Sequence, residues 1–457
     1  MKSIFFIIIS LSVFNVAVSQ QVTGSLTNHK NQKVYLYSFE NLEAKVIDSS
    51  LTDHIGNFVL KFAPKDYGMG YLLPQNQKPL IIVLANEAIE ILGDAMDLSA
   101  TSKINKGAEN LAFIAYAKQS GMRDNALNAW TYLNKLYVEN EVFSQQKQQQ
   151  KAILKEINRI KTEDSNFINA LPSNSYMRWY LPLRKLLASV SVVAQYKPEE
   201  IPATREALRK IDFTNNWLYK SGILKETIEN HIWFLENSSG GLDQVFADLN
   251  ESIDLVVKQL KNDNEKFNLV TKQWFQVLEQ RSLFTSSEYL AKKLLTGNDC
   301  GCLKPDFEKQ LHQYGKMAKG GIASDITFTD FTYFPENVRA KKLSELKSKY
   351  VLVVFAAGWC GHCNEAMPKL VELYPQLQAK NIEVVLVSLD ENPNSFAKFA
   401  APLPFISTTD YLKWDGQIVK DYHIYSTPTY YILNNQREIV LKPYTVEQIG
   451  AWIKLLP

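Results

Sequence analysis

Two cysteines stand three positions apart in Trp359-Cys360-Gly361-His362-Cys363, between the apolar run Tyr350–Ala356 and a helical pattern over 364–379. Few arrangements constrain a chain more. The apolar run reads as a buried strand, so the segment predicts a strand, a turn and a helix with Cys360 at the helix N-terminus. Unpaired backbone N–H groups and the macrodipole there favour an anion. A thiol so placed loses its proton more readily, and the thiolate is the attacking species. Cys363 follows one helical turn later, within disulfide reach. The spacing therefore predicts attack by Cys360 on a disulfide and resolution of the mixed disulfide by Cys363. The competing readings are half a zinc site and an inert structural disulfide. A zinc site needs a second ligand pair, and Cys300-x-Cys302 has a spacing unlike common structural sites, so no metal is expected.

The chain of 457 residues suggests about two to four domains. Hydrophobic residues make up 46% and charged residues 21%, as in globular proteins. A net charge of +2 gives no basic field over the chain, so nucleic acid is not an expected partner. The cysteines Cys300, Cys302, Cys360 and Cys363 are too few for a disulfide scaffold, and their tight pairing points to chemistry. Cys300-x-Cys302 closes a very small ring. It reads either as a strained, easily reduced second disulfide that relays electrons or as a static bridge, and the static reading is preferred.

Residues 1–19 read as a signal peptide. Met1-Lys2 is positive, Ile4 to Val18 is mostly apolar, and Ala17-Val18-Ser19 precedes Gln20 as a small-x-small cleavage site. A membrane anchor would need about 20 clean apolar residues. No cysteine stands at the cleavage point for a lipid anchor. The expected location is the periplasm or the exterior, in the cell envelope, with no stable membrane insertion after cleavage.

Residues 20–107 predict a β-sandwich-like domain, with strands at Lys33–Tyr37, Gly56–Phe62, Pro79–Leu84 and Ala88–Leu92 and a turn at Asp53–Gly56. Residues 108–318 predict a helical domain. Ile153, Ile157 and Ile160 share one helix face, as do Ile223, Thr227, Ile228, Ile232 and Leu235. Gln145 to Lys151 reads as a solvated helix surface. Pro172, Pro182, Pro198 and Pro202 punctuate the middle, Ser238 to Gly241 marks a loop, and Trp179, Trp233 and Trp274 read as core. No motif in this region attaches to chemistry. Residues 319–457 predict an α/β domain: strands at Tyr350–Ala356, Ile382–Leu389, Tyr430–Leu433 and Glu438–Leu441, a hairpin at Asn434–Arg437, and a capping box at Thr445-x-x-Gln448. The fold class is thus multi-domain: all-β, then all-α, then α/β.

Two resemblances follow. Ile47-Asp48-Ser49, Gly56-x-Phe58, Gly70-Tyr71 and Gly107-Ala108-Glu109-Asn110, in that order, resemble the β-domain that precedes thioredoxin domains in envelope proteins of Bacteroidetes-type bacteria. Residues 319–457 resemble the thioredoxin superfamily, in its TlpA/ResA-like form. Pro368 falls where that family carries a kinking proline. Thr427-Pro428 falls where it carries a cis-proline beside the disulfide. Residues 382–429 are long enough for the strand and helix that TlpA/ResA-type proteins insert, and Ser324-Asp325-Ile326-x-Phe328 looks like the leading strand.

The resemblance implies a thioredoxin-like fold and a secreted thiol–disulfide oxidoreductase. Its partners would be protein thiols and disulfides of the envelope and an upstream redox protein, and no separate cofactor is implied beyond the Cys360–Cys363 disulfide. Cys360 and Cys363 would be catalytic; Trp359, Gly361, His362, Thr427 and Pro428 would bind or tune, with Pro428 orienting the partner's backbone. Two positions depart from the family. Val354 stands where thioredoxins carry a buried aspartate. Ala366 stands where TlpA-like proteins often carry a glutamate, and the shift to Glu365 turns that side chain by about 100° on a helix. The proton acceptor for Cys363 is thereby left open. Cys-Gly-His-Cys also resembles protein disulfide isomerases, and Thr427 before the proline resembles the DsbC type. A cationic His362 would stabilise the thiolate and make the site more oxidising; otherwise it is an exposed polar residue. From a different class comes a partner-binding or scaffolding protein using the thioredoxin fold as a docking module, against which the intact cysteine pair speaks. A peroxidase would need an activating Thr/Arg pocket that the sequence lacks.

Overall fold

A computed structural model describes residues 20–238, 240–296, 303–336 and 338–456. The signal segment 1–19 and the pair Cys300 and Cys302 lie outside the described residues. Contacts divide the chain into two compact units: one runs through Val190 and takes in Asn215–Thr227, the other comprises Ser191–Thr214 and everything from Ile228 onward. The division thus runs through the helical region.

In the first unit, eight strands form two four-stranded sheets. They are β1 (Gln21–Thr27), β2 (Lys33–Glu40), β3 (Glu43–Leu51), β4 (Asn57–Lys61), β5 (Gly68–Pro74), β6 (Leu80–Leu84), β7 (Ile89–Asp94) and β8 (Lys103–Lys106). The sheet orders are β4-β1-β7-β8 and β3-β2-β5-β6. Alternation decides which side is buried: Val34 and Leu36 on β2 and Phe58 and Leu60 on β4 join one core with Val22, Leu72, Ile82 and Ile91, while the residues between them face outward. The two sheets share that core, which is the expected sandwich. The pattern alone misses β1, β8, the largely exposed edge strand β3, and β5, which opens on Gly68-Met69-Gly70. At the expected turn, the Asp53 carboxylate accepts the amides of Ile55 and Asn57, both at 2.9 Å, and Gly56 takes φ +94°, a region costly for other residues.

The motif residues of this region hold it together. Asp48 accepts the Lys61 amide at 2.6 Å. The Asn110 side chain bridges the Val83 N–H and C=O at 2.8 and 2.7 Å. The Glu109 carboxylate accepts the Ser175 hydroxyl at 2.8 Å and the amides of Tyr176 and Met177 at 3.1 and 3.0 Å, so it caps the helix Tyr176–Tyr196. That helix runs through Pro182, so this proline does not end an element as expected; Pro198 and Pro202 instead sit in first turns, where a missing N–H costs nothing. Ile153, Ile157 and Ile160 are buried as one stripe of the helix Lys147–Ala170, whose start at Lys147–Gln149 is exposed.

In the second unit, helices Leu242–Leu260, Asn264–Gln280, Phe284–Thr296 and Pro305–Lys316 precede a five-stranded sheet. Ile228, Ile232 and Leu235 are fully buried, as is Trp274; Trp233, like Trp179 in the first unit, is only partly covered. The sheet comprises β9 (Tyr350–Ala356), β10 (Ile382–Ser388), β11 (Ile406–Thr409), β12 (Thr429–Asn434) and β13 (Ile439–Leu441), in the order β11-β10-β9-β12-β13. β10 is parallel to both β9 and β11; β12 is antiparallel to β9 and to β13. β9 is covered on both faces, as a continuous apolar run should be. Leu352, Val354 and Ala356 meet the helix Gly361–Ala379 through Met367 and Leu370, and Val351, Val353 and Phe355 meet Ile326, Val419 and Tyr422. Between β10 and β12 stand the helix Pro393–Ala400 and β11, the inserted pair the length suggested. The expected leading strand at 324–328 does not form: Ile326 is buried, but only one isolated bridge, Thr327 with Lys342, falls in this segment, with another, Ile322 with Glu438, just before it. Just after β13, the Lys442 ammonium is nearly buried, 3.3 Å from the Glu288 carboxylate and 3.4 Å from the Tyr314 hydroxyl.

Candidate active site

The helix bearing the cysteines begins at Gly361, three residues earlier than the pattern suggested, so Cys363 lies in its first turn and Cys360 is its N-cap. A sulfur fills the place usually taken by a side-chain oxygen: the Cys363 N–H donates to Cys360 Sγ at 3.2 Å. On its other side the Cys360 thiol donates to the Thr427 carbonyl at 3.3 Å. The Thr427–Pro428 peptide is cis. β12 begins at the next residue, and its pairing with β9 brings this loop beside the helix start.

The two thiols are unequal. Cys360 keeps 8% exposure and Cys363 none. Around them pack Val354, Ala356, Met367, Leu370 and Tyr430, which are apolar or phenolic. Burial, then its hydrogen bond with Cys360, pushes the Cys363 thiol up to about 12. Val354, at the family's aspartate position, faces Tyr430 across the β9–β12 ladder. Burial and then Cys363 push the Tyr430 phenol well up as well. Glu365 is exposed at 81% and lies 3.9 Å from His362 Nδ1, and His362 is itself 88% exposed. Above the helix start a side chain at Gly361 would meet nothing within 4 Å.

Trp359 is half exposed. Its Nε1–H donates to the Leu389 carbonyl at 3.3 Å, its ring lies 6.1 Å from that of Trp414, and the Lys413 ammonium stands 5.2 Å from its centroid. Lys413 in turn pairs with Glu391 at 3.0 Å. Further off, Ser282 Oγ, in the turn after the helix Asn264–Gln280, lies 3.2 Å from Ser426 Oγ, and Gln310, in the helix Pro305–Lys316, donates to the Tyr425 hydroxyl at 2.8 Å, so both residues brace the segment leading to Thr427.

The structure therefore gathers Trp359, Cys360, Gly361, His362, Cys363, Thr427 and Pro428 at one end of the sheet. Cys300 and Cys302 lie outside the described residues. Sequence reasoning missed Leu389 and Asp390, which contact the loop before Cys360, and Ser388, which bonds the Asp390 carboxylate. Their signal was placement: Asp390 directly follows an apolar run, at the carboxyl end of a central parallel strand where α/β proteins build sites. Among the described residues no group of three or more His, Cys, Asp or Glu could hold a metal, and no helix is long and apolar enough to cross a membrane.

Residues 348–439 match a family model described as thioredoxin-like. The chain is similar to the thiol-disulfide oxidoreductase ResA of Bacillus thuringiensis, 27% identical over 146 residues, 30% of this chain and 79% of the relative. It is also similar to tryparedoxin of Trypanosoma brucei brucei, 34% identical over 94 residues, 20% of this chain and 65% of the relative. A thioredoxin-like protein of Bacteroides caccae of known structure aligns at 18% identity and a TM-score of 0.38, over 56% of this chain and 94% of that one. With a central sheet flanked by helices and a cysteine pair capping the first of them, the C-terminal domain is a thioredoxin-superfamily domain of the ResA/TlpA-like kind, the fold of thiol–disulfide oxidoreductases.

Proposed function

We propose that the chain exchanges disulfides with protein substrates in the cell envelope through Cys360 and Cys363. The supporting observation is the inequality of the two thiols: Cys360 stands at the rim with the Cys363 amide aimed at its sulfur, and Cys363 is sealed beneath. The Cys360 thiolate attacks one sulfur of a substrate disulfide. A bond forms from Cys360 to that sulfur, the substrate bond breaks, and the departing thiolate takes up a proton. Cys363 then loses its proton and attacks Cys360 Sγ, which releases the second substrate thiol and leaves the enzyme disulfide. Two electrons have passed to the substrate, and an upstream dithiol protein restores the pair; no separate cofactor takes part. The steps run backward when the substrate is the dithiol. Pro428 and the Thr427 carbonyl flank the sulfur where the substrate's backbone lies during attack.

A protein so placed in the envelope would begin at Gln20 after loss of residues 1–19, which mass spectrometry of the native protein reads directly. Cys360→Ser should abolish reduction of an insulin-type protein disulfide, since a hydroxyl does not replace a thiolate. Full activity in that variant would return the fold to the role of a docking module.

A further inference from the structure

Asp390 lies two residues beyond β10 and is fully buried, although it carries a carboxylate. Its two oxygens lie 3.3 and 3.2 Å from the Gly358 amide. The same Oδ2 accepts the Ser388 hydroxyl at 2.7 Å, and the Ser388 oxygen accepts the Asp390 amide at 3.2 Å. One residue on, the Leu389 carbonyl accepts the indole N–H of Trp359 at 3.3 Å. From the other side, Asn364 Nδ2 donates to the Gly358 carbonyl at 3.0 Å. Gly358 leaves little room for a side chain: a Cβ there would stand 3.1 Å from Phe399 Cβ and 3.4 Å from Asp390 Oδ1.

A carboxylate taken out of water is costly unless its lone pairs are met. Here they are met by one hydroxyl and by one backbone amide, and that amide lies two residues before Cys360. The residue it steers has a narrow task. Cys360 caps the helix at φ −89°, ψ 115°, with its sulfur between the Cys363 N–H and the Thr427 carbonyl. Exchange needs the attacking sulfur in line with the bond it breaks, and an error of about 1 Å can cost on the order of a hundredfold in rate.

We propose that Asp390 is a positioning residue for Cys360, acting through Gly358 and Trp359 and touching neither substrate nor sulfur. The proposal rests on the exchange reaction proposed above. It requires an acceptor at Asp390, not specifically a charge.

The test uses the full chain with Asp390→Ala, Asp390→Asn and Ser388→Ala. Leu249→Ala, in the core of the helix Leu242–Leu260, serves as a stability control. Steady-state reduction of insulin disulfides gives kcat and KM, and thermal unfolding gives the midpoint of each variant. Asp390→Ala should lose about tenfold or more in kcat with KM little changed. Asp390→Asn keeps an oxygen for the Gly358 amide and should stay within about threefold of the parent. Ser388→Ala frees one carboxylate oxygen and should fall between them, which keeps the test decisive if Asp390→Ala does not fold. Leu249→Ala should lower the midpoint and leave kcat intact. Parental kcat in Asp390→Ala, or in Ser388→Ala should the former not fold, overturns the proposal. So does equal loss in Asp390→Ala and Asp390→Asn, because charge and not the amide contact would then matter. Failure of the underlying reading is distinct: the parent chain would be no faster than Cys360→Ser.

Discussion

The Cys363 amide donates to the Cys360 sulfur at 3.2 Å, so the deeper cysteine stabilises the outer one through its backbone while its own side chain is shut away from water. The thiols should therefore react in strict order. Of these two thiols, iodoacetamide at pH 8 should modify Cys360 and not Cys363 in the folded, reduced protein, as read by peptide mass. Cys363 should resist until the chain unfolds or the pH nears 12, where its buried thiol ionises. Its pKa is raised on folding, so the stability tied to its proton is whole below the unfolded value of about 8.5 and is lost as pH rises towards 12. Rapid labelling of Cys363 in the folded protein at pH 8 would contradict this arrangement.

His362 is 88% exposed and shares its turn with Glu365. Exposed charges in water are worth about 1 kcal/mol or less to each other. For a two-electron couple, 30 mV corresponds to about 1.4 kcal/mol, so His362→Gln should lower the redox potential by no more than about 20 mV. The sign is downward because an imidazole, when protonated, favours the reduced, thiolate form, and glutamine cannot do so. A glutathione equilibrium measures it. A fall of about 60 mV or more would make this histidine a main determinant of redox direction.

Lys442 joins the end of the sheet to the helix Phe284–Thr296 through Glu288. It also opposes the rise that burial imposes on the Glu279 carboxyl, which accepts the Tyr314 hydroxyl at 2.6 Å. Lys442→Met keeps the volume and removes the cation, and should cost about 3 kcal/mol, the low end for breaking a buried pair, because Glu288 keeps some contact with water. Glu279, with its pKa raised, is stabilising below its unfolded value and destabilising as pH climbs through the folded one. The penalty should accordingly shrink as pH falls through the raised folded value of Glu279, where a protonated Glu279 no longer misses the ammonium. Urea unfolding at pH 4 and pH 7 checks both parts, and an equal penalty at the two pH values would contradict them.

The strand–cysteine–helix unit was readable because its signals are local: an apolar run, the two-residue gap between cysteines and the helical periodicity after Cys363 all lie within 350–379. β10 and β12 were readable for the same reason. β3 was not, because an exposed edge strand carries no alternation between core and solvent. The leading segment at 324–328 looked like a strand from its residues, yet strand formation depends on a partner, and only a single bridge reaches it. The environment of Cys363 was hidden too, since Val354 and Tyr430 become neighbours only through the register of β9 and β12. Asp390 was visible as an acid after a strand, but its meaning depends on Gly358, reached across the sheet end. The pairing of Lys442 with Glu288 spans 154 positions and has no signature in either segment.

The central claim is that Cys360 attacks and Cys363 resolves, and trapping tests it most directly. Cys363→Ala should accumulate mixed disulfides between Cys360 and envelope proteins, seen as reducible high-mass bands whose peptides carry Cys360 joined to a partner cysteine. The double variant Cys360→Ser/Cys363→Ala should lose these Cys360-linked adducts. Adducts joined through Cys363 in a Cys360→Ser chain, with none through Cys360 in the Cys363→Ala chain, would reverse the assignment and contradict the account.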